Sequence, residues 1–427
     1  MTETFIVLFV ILGIVAVASF IFKNDMTKMG AAIVVAAALG ALVAGMGIRI
    51  RELVEGPFAY LDSVLAVMTG MLFAIILVEN GTFELLLNKI ITKKRNPMIQ
   101  SLLLILLIAL PGIFTGTAIA SILTTGVMVG KYLINKGKDK AQVVQFVAVS
   151  SLLGLILPPI CLPAMIVVVS RSGSYPAAFE GYTIPLLVAA LPALLAYANM
   201  SAKQIGEFEI DNIETKISIK SLIPLIIVGL LLFSHNFLFR FMPFLGYPLI
   251  FTIGTILAIL LPFKKINILN SLGKGINYIA PIVAIVFAIA SALEILTLTG
   301  VSGTLATIYY TVNPALFTIV SMILIIIGGI LIGGPFAALV AVICSYVVGA
   351  LAWGGTELAL TAISVALCVA VFLSIRGGLI HNTAAILGVE TIDSKKVARG
   401  SILPVGLILV IGLIYAAAYS SLVFLVI

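Results

Sequence analysis

The sequence predicts an all-α polytopic membrane protein, with about ten transmembrane helices plus two re-entrant hairpins in an inverted repeat. Three observations lead there. The 427 residues are 62% hydrophobic and only 10% charged, with a mean hydropathy of +1.29, where a soluble domain carries about 25% charged residues. Apolar runs long enough to cross a bilayer recur along the whole chain. Two runs, 98–134 and 314–353, are too long for one crossing, and glycine breaks each near its middle.

The runs that read as single crossings are 4–22, 29–47, 57–80, 141–170, 182–200, 221–239, 244–263, 277–298, 357–390 and 401–427. The first has no basic segment ahead of it and no small-residue cleavage site before Lys23, so it reads as a retained helix and not a signal peptide. The chain divides into scaffold helices (1–56), a first repeat (57–181), scaffold with a cytoplasmic connector (182–276), a second repeat (277–390) and a C-terminal helix (391–427). The connector mixes Lys203, Lys216 and Lys220 with Glu207, Glu209, Asp211 and Glu214, which marks a solvated linker.

The charges support this path. Loops assigned to one side hold nineteen basic residues, among them Lys89, Lys93, Arg95, Lys136 and Lys140; the other side holds four, Arg49, Arg51, Arg171 and Arg240. Such an asymmetry places the basic side in the cytoplasm. Both termini then lie outside, in the cytoplasmic (inner) membrane of a prokaryote. The first hairpin enters from the cytoplasm and the second from outside. The formal charge of +7 comes from these loops, so it implies a lipid bilayer as partner and no nucleic acid. Cys161, Cys344 and Cys368 all lie in apolar runs and form neither a disulfide framework nor a zinc pattern.

Opposite entry implies that the halves are related by inversion, and traces of a repeat are visible. A shift of 217 carries Asn96-Pro97 onto Asn313-Pro314, Gly116 onto Gly333 and Ala120 onto Ala337. It carries Pro158-Pro159 onto Ile375-Arg376, beside Gly377-Gly378. Irregular backbone at membrane depth survives only where it is buried in protein or lines a wet cavity. Interrupted segments at matching places in two halves point to a binding site.

The candidate site is therefore built from the two tips and the two breaks. At the first tip Thr115, Gly116 and Thr117 offer hydroxyls and flexible carbonyls; with Leu157 at the first break they form a candidate set for a hard cation such as sodium. Gly334 and Pro335 at the second tip offer carbonyls alone. Arg376 is the only basic residue placed deep within a span, where a charge costs roughly 2.5–3.5 kcal/mol on insertion scales and marks a substrate or ion path. Gly377 and Gly378 let the backbone leave the helix there, and His381, Asn382 and Thr383 open the next half-helix. A guanidinium beside a helix N-terminus attracts a carboxylate twice over. Pro158 and Pro159 complete the candidate substrate set. The plainer alternatives are a Pro-kinked core helix for 141–170, a structural Arg376 satisfying broken-helix carbonyls, and a satisfied core His381. Glu79 and Glu294 are either coupling-ion ligands or interfacial acids.

Gly300-Val301-Ser302-Gly303 matches a short pattern of intramembrane serine proteases, but it falls in an outer loop, and no His-Glu-x-x-His pattern accompanies it. The sequence does not read as an enzyme.

Gly116-Thr117-Ala118-Ile119-Ala120-Ser121, a basic turn, Gly154-Leu155-Ile156-Leu157-Pro158-Pro159 and Gly181-Tyr182-Thr183-Ile184-Pro185 together resemble the first repeat of the large membrane subunit (DctM-like) of TRAP transporters, within the ion-transporter superfamily. The resemblance is best over 60–195 and fainter over 277–390. It implies an elevator-type carrier for a small organic anion, a carboxylate, with sodium as the coupling ion and no other cofactor. It also implies a small membrane subunit and a periplasmic binding protein as partners. The second repeat departs from the family, with Ser374-Ile375-Arg376-Gly377-Gly378 where a second Pro-Pro break is expected. The alternatives are a proton-coupled gluconate- or dicarboxylate-type permease and a sodium/proton antiporter of the same superfamily.

Overall fold

The computed structural model describes the chain except for residues 1, 23–24, 94, 173–179, 206–218, 238–244, 263, 265, 352–355, 376, 390–393, 420 and 423–427. All regular structure among the described residues is helical. The first half runs α1 (Thr2–Phe22), α2 (Met26–Val43), α3 (Ile50–Glu55), a 3-10 turn (Gly56–Tyr60), α4 (Leu61–Glu79) and α5 (Thr82–Ile91). It continues through α6 (Pro97–Thr115), α7 (Ala118–Ser121), a π turn (Ile122–Gly126), α8 (Val127–Asn135), α9 (Lys140–Ile156), α10 (Leu162–Ser172) and α11 (Glu180–Ile205). The second half has α12 (Ile219–Phe237), α13 (Tyr247–Leu260), α14 (Ile268–Leu298), α15 (Val301–Thr311) and α16 (Pro314–Leu331). It ends with α17 (Gly334–Leu351), α18 (Thr356–Leu373), α19 (Leu379–Leu387) and α20 (Ser394–Ala418).

The shift of 217 found at a few sequence positions recurs in the helix boundaries. It carries Thr2 onto Ile219, Val43 onto Leu260, Pro97 onto Pro314, Ile156 onto Leu373 and Leu162 onto Leu379, each of which starts or ends a helix. The correspondence therefore extends beyond the hairpin cores to the flanking helices, pairing α1 and α2 with α12 and α13, and α11 with α20. α14 replaces α3, the 3-10 turn and α4 in one piece, and α17 likewise replaces α7, the π turn and α8.

Local chemistry explains the shared boundaries. Asn96 and Asn313 cap the hairpins alike, each side-chain oxygen accepting from the amide two residues on, at 3.0 Å from Met98 and 2.9 Å from Ala315. A proline follows each cap, at the first helical position where its missing amide leaves nothing unpaired. The short helices α5 and α15 both start from a glycine in left-handed conformation, Gly81 (φ 83°) and Gly300 (φ 75°).

Ten helices among the described residues are long and apolar enough to span a membrane. Seven of them fall on crossings expected from the sequence, and the other three are arms of the two hairpins. Both arms of the first hairpin reach spanning length, at 19 and 18 residues, whereas 220–235 and 247–260 form shorter apolar helices. The runs 141–170 and 357–390 are each two helices, parted at the breaks expected from the sequence. Run 277–298 starts earlier, at Ile268, because the polar turn carrying Lys274 and Asn277 continues the helix into the aqueous boundary.

α9 and α18 form the centre. Every residue of α9 from Val143 to Ile156 is buried, and so is α18 from Leu358 to Ala370. Large apolar side chains such as Phe9, Leu230, Leu331 and Ile402 project outward from the peripheral helices. A coat of this extent needs lipid as its solvent.

Candidate functional site

Each half interrupts one central helix at the same place, at 157–161 and 374–378. In the first break Pro158 and Pro159 supply no amide donors, and the peptide between them is cis. In the second, Gly377 adopts φ 69°. α10 leaves the first break to pack on α17 and α18, and α19 leaves the second to pack on α9. The two broken helices thus cross, each resting its second half on the other's first.

The hairpin tips meet the breaks through backbone. The Leu162 amide donates to the Gly116 carbonyl at 3.0 Å, and the Ile375 amide donates to Ile330 of the second hairpin at 3.3 Å. Gly116 turns the first tip with φ 63°. Close approach depends on glycine beneath it: a Cβ on Gly112 would lie 2.9 Å from the Gly154 carbonyl carbon, and one on Gly154 2.6 Å from the Ala109 oxygen. The arms run antiparallel and are stapled by hydroxyls. Ser121 Oγ accepts from the Gly112 amide at 2.9 Å, and Thr125 Oγ1 donates to the Ile108 carbonyl at 3.2 Å. At the tip, the Thr115 and Thr117 hydroxyls lie 2.9 Å apart and Thr115 Oγ1 donates to Pro111 at 2.8 Å.

Tips and breaks line one side of a partly open cavity of about 200 Å³. Gly116 and Thr117 line it from the first tip, Gly334 and Pro335 from the second. The breaks contribute Leu162, Pro163, Ser374, Gly377 and Leu379, and Asn382 joins them from α19. The starts of α10, α17 and α19 all lie on this lining, and helix starts carry partial positive charge. The opposite wall comes from α2 and α14: Met26, Met29, Ile282, Ile285, Val286 and Ile289.

Of the residues singled out from sequence, Gly116, Thr117, Gly334, Pro335, Gly377 and Asn382 come together on this cavity. The Asn382 side-chain amide donates to the Gly377 carbonyl at 2.9 Å and so ties the break to the helix that follows. Thr115, Leu157, Pro158, Pro159 and Gly378 do not line the cavity. Thr383 is buried with its hydroxyl on the Leu379 carbonyl at 2.6 Å, and His381 is exposed. Arg376 lies outside the described residues. Glu79 pairs with Lys274 at 2.6 Å at the protein's edge, and Glu294 is exposed, so both acids sit away from the cavity. No cluster of three or more His, Cys, Asp or Glu side chains suited to a metal occurs among the described residues. Sequence reasoning missed the α2–α14 wall. Its spacing at 282, 285, 286 and 289 is helical, but every helix of an apolar chain shows such stripes.

Interrupted helices meeting hairpin tips around an internal cavity are how secondary transporters build a binding site, and the fold is one that membrane transporters use. Two solved structures share it. The YdaH transporter of Alcanivorax borkumensis, reported to have an unusual topology, matches with a TM-score of 0.57 and 12% identity over 84% of this chain and 86% of its own. MtrF of Neisseria gonorrhoeae, reported to illuminate a class of antimetabolite efflux pumps, matches with a TM-score of 0.57 and 11% identity over 93% of this chain and 95% of its own. At these identities the likeness establishes the fold. Both are membrane transporters, and neither match supports the TRAP large-subunit resemblance drawn from the sequence. No protein-family model and no curated protein matches the chain.

Proposed function

We propose that this protein is a secondary active transporter for a small organic anion, a carboxylate, driven by a sodium gradient through an elevator movement. One observation carries the reading: the starts of α10, α17 and α19 converge on a single internal cavity. Three helix starts oriented this way favour negative charge. Arg376 adjoins Gly377 in sequence and would supply a guanidinium fork for the carboxylate. The Thr115 and Thr117 hydroxyls, 2.9 Å apart, are neutral oxygens of the kind a hard cation takes. The elevator reading rests on the division of the lining, since tips and breaks belong to one packed group and the facing wall to α2 and α14.

The test is uptake of labelled carboxylates into proteoliposomes holding this chain alone. Uptake should require an inward sodium gradient, and Thr117→Ala should raise the sodium concentration needed. Carboxylate uptake driven equally by a proton gradient without sodium would overturn the coupling. Arg376→Lys should weaken binding about tenfold or more, as expected when a charged hydrogen bond worth about 1.5–3 kcal/mol is lost. Native affinity in that variant would remove the guanidinium from the site. Stabilisation by organic cations or neutral solutes, with none by carboxylates, would overturn the anion class.

A further inference from the structure

The geometry points to a narrower cargo: a monocarboxylate with a compact, ring-sized apolar body, in place of a dicarboxylate or a hydroxylated sugar acid. This rests on the anion reading above and deepens it. Only three of the described lining residues have polar side chains, Thr117, Ser374 and Asn382. Thr117 already shares a hydrogen bond with Thr115, the Asn382 amide is engaged by Gly377, and Ser374 also has a partner. All three lie on the side of the tips and breaks, where the helix starts converge.

The facing wall offers nothing polar from its side chains. Met26 and Met29 on α2, with Ile282, Ile285, Val286 and Ile289 on α14, present thioethers and aliphatic carbon. Met29, Val286 and Ile289 are 4% exposed or less, and Met26, Ile282 and Ile285 are half-buried. A ligand bound by one carboxylate at the helix starts must direct its other end at this wall. A second carboxylate there would be an unpaired buried charge, and each hydroxyl would lose its water partners without replacement. An apolar body gains contact on the same surface. Size narrows the class further. A cavity of about 150 Å³ takes benzene, so the 200 Å³ found here holds one ring or a short branched chain together with its carboxylate.

The experiment measures binding to purified full-length protein by calorimetry with benzoate, phenylacetate, 4-methylpentanoate, succinate, citrate and gluconate. The expected result is binding of the first three at least tenfold tighter than the last three. In Val286→Thr, which keeps the side chain's shape, their affinity should fall about tenfold, the scale of one mismatched group in an apolar pocket. Ile285→Ala provides a second variant should the first not fold, and it should also weaken them about tenfold. Tighter binding of succinate, citrate or gluconate overturns the inference while leaving the anion transporter standing. Apolar acids that bind both folded variants at native affinity likewise overturn it, because the wall would then not touch them. Binding of none of the six overturns both readings.

Discussion

At the scale of single residues, glycines decide how closely the first hairpin approaches the first broken helix. A methyl on Gly154 would stand 2.6 Å from the Ala109 oxygen and 2.8 Å from its Cα, both backbone atoms of α6 that cannot rotate away. Gly154→Ala should therefore destabilise the protein by about 1–3 kcal/mol, read as a lower apparent Tm in detergent. Gly406→Ala is the control, because nothing lies within 4 Å of its Cβ position. Equal melting of the two variants would show that α6 and α9 do not touch there. These residues illustrate what the sequence disclosed about the site. Gly116, Gly334, Pro335 and Gly377 stood out because a helix breaker in an apolar run has few reasons to be there, and Asn382 stood out as a polar residue behind one. Met29 and Ile285 carried no such signal. One apolar residue among so many differs from its neighbours only in what it faces, and that depends on α2 meeting α14 across some 250 positions of chain.

At the scale of elements, the two hairpins share caps, length and tip position but are held together differently. Ser121 and Thr125 staple α7 and the π turn to α6. The shift of 217 puts Ala338 and Val342 at the matching places in α17, so those two hydroxyl staples have no counterpart near the second tip, where the arms meet by packing, as where Gly329 meets Ala337; the Cys344–Ser321 hydrogen bond joins the arms farther from it. Hydrogen exchange should then be faster for amides 329–337 than for amides 112–120. Thr125→Val should bring the first hairpin toward the second, since one hydrogen bond is worth about 0.5–1.5 kcal/mol. Equal protection of both tips in the native protein would show that the staples contribute nothing. Hydropathy located the hairpins in the sequence because it measures transfer into lipid, which long apolar runs satisfy whatever their path. It did not divide 141–170 into α9 and α10, since both halves are equally apolar. Only Pro158 and Pro159 marked the join. Nor did it separate re-entrant from fully crossing arms, a distinction that depends on depth and not composition.

At the scale of the whole molecule, orientation follows from counting. On the expected path each half would cross an odd number of times: α1, α2, α4, α9 with α10, and α11 in the first, and their counterparts in the second. A hairpin adds either no crossing or two, so its depth leaves the parity unchanged. Lys136, just after the first hairpin, and Thr311, just before the second, should therefore face opposite sides. Cysteine placed at 136 should react with a membrane-impermeant thiol reagent only from the cytoplasm, and at 311 only from outside. Labelling of both from one side would overturn the inverted arrangement. The native cysteines do not confound the assay, as Cys161 and Cys368 are buried and Cys344 lies within α17. Basic loops are what the expected topology rests on, because insertion reads lysine and arginine directly. The matching helix boundaries also bear on ancestry. Two lengths of about 210 residues with matching helix boundaries, if labelling finds them inserted in opposite senses, are what remains when a gene for a half-sized, dual-orientation homodimer is duplicated and fused. Fusion frees each copy to specialise, and the two breaks do differ, with Pro158-Pro159 in one and Gly377-Gly378 in the other.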